Sequence, residues 1–168
     1  MVAFPKPTAV RGSRAEVLLG YLDYFRERAI EKLGELPSDE VARSRLPTGW
    51  SPLELLHHLR HVERRWLEWG FLGLAVDDPW ADSHHGRWFV PDDLGPDAVV
   101  AALRAQGEHT RAVVADHALD EVGRPGPRWN GAAPATLERV LLHLVQEYAR
   151  HLGHLDVVVE LSTDGAGQ

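Results

Sequence analysis

The sequence predicts an all-α fold, an antiparallel four-helix bundle with one long crossover loop. Three observations predict it. Four long stretches repeat apolar residues at helical spacing. Most of them open on a capping signal and close near Gly or Pro. No stretch alternates apolar and polar residues as a half-buried strand does. The 168 residues suit one domain spanning 1–168. A chain of that size can bury a core large enough to fold without disulfides or a structural metal.

The first helix is expected over 13–33. Ser13 and Glu16 form a capping box, and Val17, Leu18, Tyr21, Leu22, Phe25, Ala29 and Ile30 follow at helical spacing. Gly34 and Pro37 close it. The second helix has the clearest start, with Ser51 as N-cap, Pro52 at the first helical position and Glu54 at the third. Its apolar face continues through Leu55, Leu59, Val62, Trp66 and Trp69 to Gly70 and Gly73. Residues 74–95 carry no sustained period and read as a long loop, a kind of segment that is often functional. The third helix is expected from about Pro96 to His117. The fourth runs from Pro134, near its first position, to about Leu161, stopping before Asp164-Gly165.

Composition removes several functions. There is no Cys, so thiolate metal sites, catalytic cysteines and disulfides are excluded. The formal net charge is −7 and no Lys/Arg-rich run occurs, which argues against nucleic-acid partners. No apolar run approaches the roughly 18 residues of a membrane span. The N-terminal stretch lacks the apolar core of a signal peptide. A cytoplasmic protein without membrane association is expected. Phosphate-binding glycine loops, Gly-x-Ser-x-Gly elbows and His-Glu-x-x-His helices are absent. Ten His and six Trp remain, and abundant His without Cys favours a His/carboxylate metal site.

The fourth helix carries His143, Glu147, His151 and His154. At about 100° per residue, with His143 at zero, the other three fall near 40°, 80° and 20°. They form one narrow stripe bordering the apolar face of Leu137, Leu144, Tyr148, Leu155 and Val159. Glu147 and His151, four residues apart, can offer oxygen and nitrogen to one ion. Bundle metal sites draw such ligands from facing helices. The second helix offers His57, His58 and His61; His58 lies on its apolar side and His57 points away. A lone His beside an apolar face is ordinarily a hydrogen-bonded core residue, and Glu147 alone could pair with Arg150. Four such groups in one stripe, facing a second His cluster, favour a metal site. The adjacent His84 and His85 read as solvated loop residues. Trp80, Trp88 and Trp129 are candidate cleft walls.

The segments GWSPLELLHHLRHVERRW and LERVLLHLVQEYARHLGHLDVVVELSTDG resemble the DinB-like superfamily, closest to an actinobacterial-type branch. The resemblance covers nearly the whole chain. It implies a four-helix bundle with a metal site at one end, usually zinc or nickel. The helix-2 His of that family, eight residues after the Trp of a Trp-Ser/Thr motif, falls on His58. Its second pair of ligand positions falls on Glu147 and His151. The resulting His-Glu-His set is similar to that of mycothiol-dependent maleylpyruvate isomerase, which carries a further C-terminal domain. What the resemblance carries over is the site and thiol-dependent transfer chemistry rather than the isomerisation itself.

His58, Glu147 and His151 are therefore expected to ligate one divalent metal. His61, His143 and His154 are expected to act around it as supporting groups or proton relays. Glu54, one turn before His58, is the candidate acceptor for that imidazole's other N–H. A His₂Glu set suits zinc, with nickel second. The expected function is a metal-dependent transferase acting on a small-molecule substrate with an external low-molecular-weight thiol such as mycothiol. The alternatives are a non-catalytic metal- or small-molecule-binding bundle, or a stripe that is only a hydrogen-bonded network. A homodimer is expected from the resemblance and from the Trp-rich second helix and loop.

Overall fold

The computed structural model of the protein describes residues 2–10 and 12–164. Four long helices dominate it: α1 (Arg14–Glu35), α2 (Pro52–Arg64), α3 (Pro96–Asp116) and α4 (Leu137–Asp164). The fold is all-α apart from a two-stranded hairpin, β1 (Ser83–His84) and β2 (Arg87–Trp88). Gly165, expected to follow the last helix, lies outside the described residues.

The local signals for α1 and α2 act as their chemistry demands. Ser13 and Glu16 close one capping box, and Ser51 and Glu54 close another. Each box satisfies backbone N–H groups that a helix start leaves unpaired. After Arg64 the second helix continues as a π-helical segment, Arg65–Phe71, which carries the Leu72 N–H to the Leu67 carbonyl. Such widened turns cluster at functional sites.

Several features differ from the sequence reading: α1 runs through Gly34 to Glu35, and α4 runs on to Asp164 rather than stopping before it. The fourth helix begins at Leu137, not near Pro134. Residues 135–136 are held extended first: Val122 bridges Thr136, and Gly123 N–H donates to the Ala135 carbonyl at 3.0 Å. Thr136 Oγ1 then accepts from Arg139 N–H as the cap. The hairpin was not expected either. His85 (φ 51°) and Gly86 (φ 75°) supply two successive left-handed residues, the requirement of a tight type I′ connection.

The ion pairs give the helix directions. Arg14 pairs with Glu138 and Lys32 with Asp156, start with start and end with end, so α1 and α4 run the same way. Trp50 lies by His154, His58 by His151 and Trp66 by His143, so α2 runs opposite to α4. Glu27 pairs with Arg104 and Asp23 with Arg111, so α3 opposes α1. Hence α2 and α3 run parallel, and residues 72–95 must cross the length of the bundle to join them. An arrangement in which every consecutive pair is antiparallel is not adopted. The reason is the length of that connection, which a short antiparallel turn does not need.

The core is built from apolar residues of all four helices, among them Leu22, Leu55, Leu59, Leu103, Leu141, Leu144 and Leu155. At its centre sits a carboxylate. Glu63 on α2 is fully buried. It accepts from Arg26 Nε at 3.2 Å and Nη2 at 2.8 Å, from Thr110 Oγ1, and from the Tyr148 hydroxyl. The donors come from α1, α3 and α4 respectively. Glu63 therefore touches a polar group of every other helix. Burial and the Glu63 charge raise the Tyr148 pKa well above that of a free phenol, so the hydroxyl stays protonated and donates.

Gly107 leaves room for the Arg26 guanidinium, since a Cβ there would fall 2.6 Å from it. Glu63→Ala leaves the buried Arg26 with Asp23 as its remaining carboxylate and strands the Thr110 and Tyr148 hydroxyls, and is expected to lower unfolding stability by about 3 kcal/mol. Tyr148→Phe removes one donor and should cost about 1–3 kcal/mol. Both are read by denaturant unfolding. A Glu63→Ala protein within about 1 kcal/mol of the parent would show that the cluster is incidental.

Candidate metal centre

Helices α2 and α4 bring His58, Glu147 and His151 together. One ligand atom from each lies within 4.8 Å of the other two. His151 Nε2 stands 3.4 Å from Glu147 Oε2. The His58 and His151 rings meet edge to face at 5.2 Å. His151 is buried, and its Nδ1 has no hydrogen-bond partner among the described residues. Burial first, and then the neighbouring His58, His154 and Arg150, push its pKa down to about 3. It is thus held neutral, the state in which an imidazole nitrogen can ligate a metal.

His58 is oriented from behind by a residue that the sequence reading did not single out. Its Nδ1 lies 2.7 Å from Asp82 Oδ2, which leaves Nε2 to face the cluster. Glu54, the expected acceptor, is committed elsewhere: its carboxylate takes the Ser51 N–H at 2.6 Å in the capping box. Asp82 comes from the crossover loop and is fixed by Arg65, the first residue of the π-helical segment. Arg65 Nη1 donates to Asp82 Oδ1 at 2.6 Å, and Nη2 donates to Oδ2 at 3.1 Å. Arg65 also donates to the Pro79 carbonyl at 3.0 Å and lies over the Trp80 ring. Burial disfavours the Asp82 charge, but the bonds from His58 and Arg65 outweigh it and hold this carboxyl far below its usual range. A carboxylate behind a ligating histidine sets its tautomer and raises its basicity.

Aromatic rings enclose the cluster. Trp88 stacks on His58 at 4.2 Å and 18°, and meets His151 at 5.3 Å. Trp50 lies against Trp88 at 5.7 Å and near His154 at 6.4 Å. His154 returns to His151 at 5.5 Å. Five rings, His58, Trp88, Trp50, His154 and His151, thus form a closed collar. Of the proposed cleft walls, Trp88 belongs to it. Trp129 packs with Trp66 further down, and Trp80 is more than half exposed beside Arg65.

The three supporting histidines part company. His143 Nε2 is 3.6 Å from Glu147 Oε1, with its ring on Trp66. His154 sits in the collar. His61 does not join them; its ring packs on His57 at 4.6 Å, and both of its nitrogens are buried without a partner. His57, read from the helical count as pointing away from the core, is 3% exposed. It faces His61 rather than the cluster. The adjacent His84 and His85 are exposed, as a solvated loop requires.

Burial, and then His57, lower the His61 pKa from 6.5 to about 3. The unfolded chain therefore takes up a proton near pH 6.5 that the folded chain refuses until about pH 3. Stability should fall as pH drops through that window. His61→Gln removes this titration and should flatten the pH dependence of denaturant unfolding between pH 6.5 and 4. Superimposable profiles for the two proteins would refute the assignment.

Comparison with known proteins bears on the fold and the family. A crystal structure of a conserved protein of a locus from Enterococcus faecalis is similar in fold, with a TM-score of 0.64 and 18% identity. The match covers 92% of this chain and 99% of that one. No curated protein matches the chain. The mycothiol-S-transferase family matches residues 17–165, from the first turn of α1 past the end of α4, and the chain belongs to that DinB-like family.

Proposed function

We propose that this protein is a metal-dependent transferase that joins an external low-molecular-weight thiol to an electrophilic small molecule. The observation that carries the reading is the convergence of His58, Glu147 and His151 within 4.8 Å on a chain of the mycothiol-S-transferase family. Two imidazoles and a carboxylate suit zinc, and three protein ligands are the pattern of zinc sites that keep a position for substrate. When bound, such an ion supplies a positive charge that lowers the pKa of a thiol near it.

The remaining work falls to the chain's own residues. With no Cys in the sequence, the sulfur must be brought in by a second molecule. Asp82 accepts the His58 Nδ1 proton and so presents Nε2 to the cluster. Arg65 keeps Asp82 ionised and the loop closed over it. Trp88 covers the His58 face and excludes water from that side. His143 is 37% exposed and lies beside Glu147. It is assigned to take the proton that the thiol loses as sulfur bonds to carbon and the electrophile's leaving group, halide for an aryl halide, departs with its bonding pair. His154 is assigned to steady His151 within the collar. His61, packed on His57, receives no role in the transfer.

Two measurements test this. Zinc titrated by calorimetry into chelator-stripped protein should bind at about one equivalent. His58→Ala or His151→Ala should remove most of that binding, and Asp82→Asn should weaken it about 10–100-fold. Unchanged zinc affinity in His58→Ala would overturn the site. Zinc-loaded protein should also accelerate coupling of mycothiol to an aryl halide, followed by thioether absorbance. Bound zinc with no acceleration would favour the non-catalytic metal-binding reading instead.

A further inference from the structure

A cavity of 140 Å³ opens beside the collar, lined by Thr48, Gly49, Trp50, Gly86, Arg87 and Trp88. Trp88 belongs to both places, since it stacks on His58 and forms a wall of the cavity. The cavity has one cation, Arg87, and it differs from those arginines of the protein that a carboxylate holds. Arg104 pairs with Glu27, Arg111 with Asp23, Arg45 with Glu40 and Arg65 with Asp82. Arg87 is exposed, and no carboxylate of the described residues pairs with it. Its protein hydrogen bond is a long one, from Nη2 to the Gly49 carbonyl at 3.4 Å.

The backbone is shaped to receive that guanidinium. Gly49 has φ 81°, in the left-handed region. A Cβ on it would fall 1.9 Å from Arg87 Nη2. Glycine is favoured there by its conformation, and a Cβ would push the end of the Arg87 side chain out of its present place. The tight turn at His85-Gly86 delivers Arg87 and Trp88 as neighbours from one strand, one to the cavity rim and the other to His58. In a chain of net charge −7, an arginine lodged against a glycine without a counter-ion, beside the His58 collar, has N–H donors that an anion can take. Its planar fork of N–H donors matches a carboxylate.

We infer that this cavity binds a carboxylate carried by one of the two substrates, with Arg87 as the specificity-determining residue and the Trp50 and Trp88 surfaces taking the adjoining apolar part. The inference rests on the reading of the neighbouring cluster as a small-molecule transfer site. It names what the substrate must carry, and the carboxylate can belong to the electrophile or to the thiol.

The test uses two matched pairs of probes, benzoate against benzamide and N-acetylcysteine against its amide. Each is titrated into the full chain with a chelator present, so that no carboxylate can ligate an ion. Indole N–H signals of Trp50 and Trp88 are followed by NMR. In at least one pair the acid should move these signals and bind about tenfold more tightly than its amide. A preference for benzoate assigns the carboxylate to the electrophile, and a preference for N-acetylcysteine assigns it to the thiol. Arg87→Gln should abolish the preference and Arg87→Lys should keep part of it. Gly49→Ala should reduce it with the arginine still present; should that variant not fold, the two Arg87 variants, which alter an exposed side chain, decide alone. Equal binding of acid and amide in both pairs, binding by neither acid, or an acid preference that survives in Arg87→Gln would overturn the proposal. Because the titration needs no metal, it stands or falls separately from the zinc measurement.

Discussion

A single buried carboxylate organises the bundle. Glu63 sits without solvent contact and accepts from Arg26, which donates twice, and from Thr110 and Tyr148, one residue from each of the other three helices. A buried ion pair is weak evidence for stability, because desolvation consumes most of its attraction. Its value lies in direction. Apolar side chains tolerate small rotations and slides of a helix, whereas a carboxylate with four donors has one satisfactory geometry. Tyr148 is the residue after Glu147, and Glu63 lies five residues beyond His58. Locking the Glu63–Tyr148 contact therefore sets the rotation at which α2 and α4 present His58, Glu147 and His151 to each other.

The crossover loop depends on a second buried pair. Residues 72–95 lack a repeating apolar face, so packing alone cannot hold them in one place. Arg65 supplies the constraint, gripping Asp82 through two hydrogen bonds, the Pro79 carbonyl through another and the Trp80 ring by its face. The same grip aims Asp82 at His58 and lets the hairpin lay Trp88 across that imidazole. Because Arg65 opens the π-helical segment, the widened helix, the loop and the site form one connected unit.

The price of this arrangement is visible in the histidines. His57, His61 and His151 bury ring nitrogens that have no hydrogen-bond partner among the described residues. Buried polar atoms of this kind are rare in folded proteins and each lowers stability unless something satisfies it. For His151 the explanation is its place in the cluster, where an ion or a proton can complete the imidazole. The His57–His61 pair has no such neighbour in the Glu147 group, and its cost is carried by the core around it.

How much of this was legible beforehand follows from the range of the forces involved. The helices were legible because capping and apolar period are local: Ser13, Ser51 and Pro96 announce their helices within one turn. The stripe of His143, Glu147, His151 and His154 was legible because one helix fixes their relative angles, and His58 because it borders the apolar face of its own helix. Asp82 was not, since nothing in a loop's sequence states which helix it will meet. Nor was the Glu63 cluster, whose partners lie as far as 85 residues from Glu63 and look individually like ordinary surface or core residues. The sequence by itself thus determined the helices, their apolar faces and the chemical type of the site. Tertiary structure alone decided the parallel course of α2 and α3, the Asp82 support of His58, the aromatic collar and the setting of Arg87, because each depends on contacts between segments that no local interaction relates.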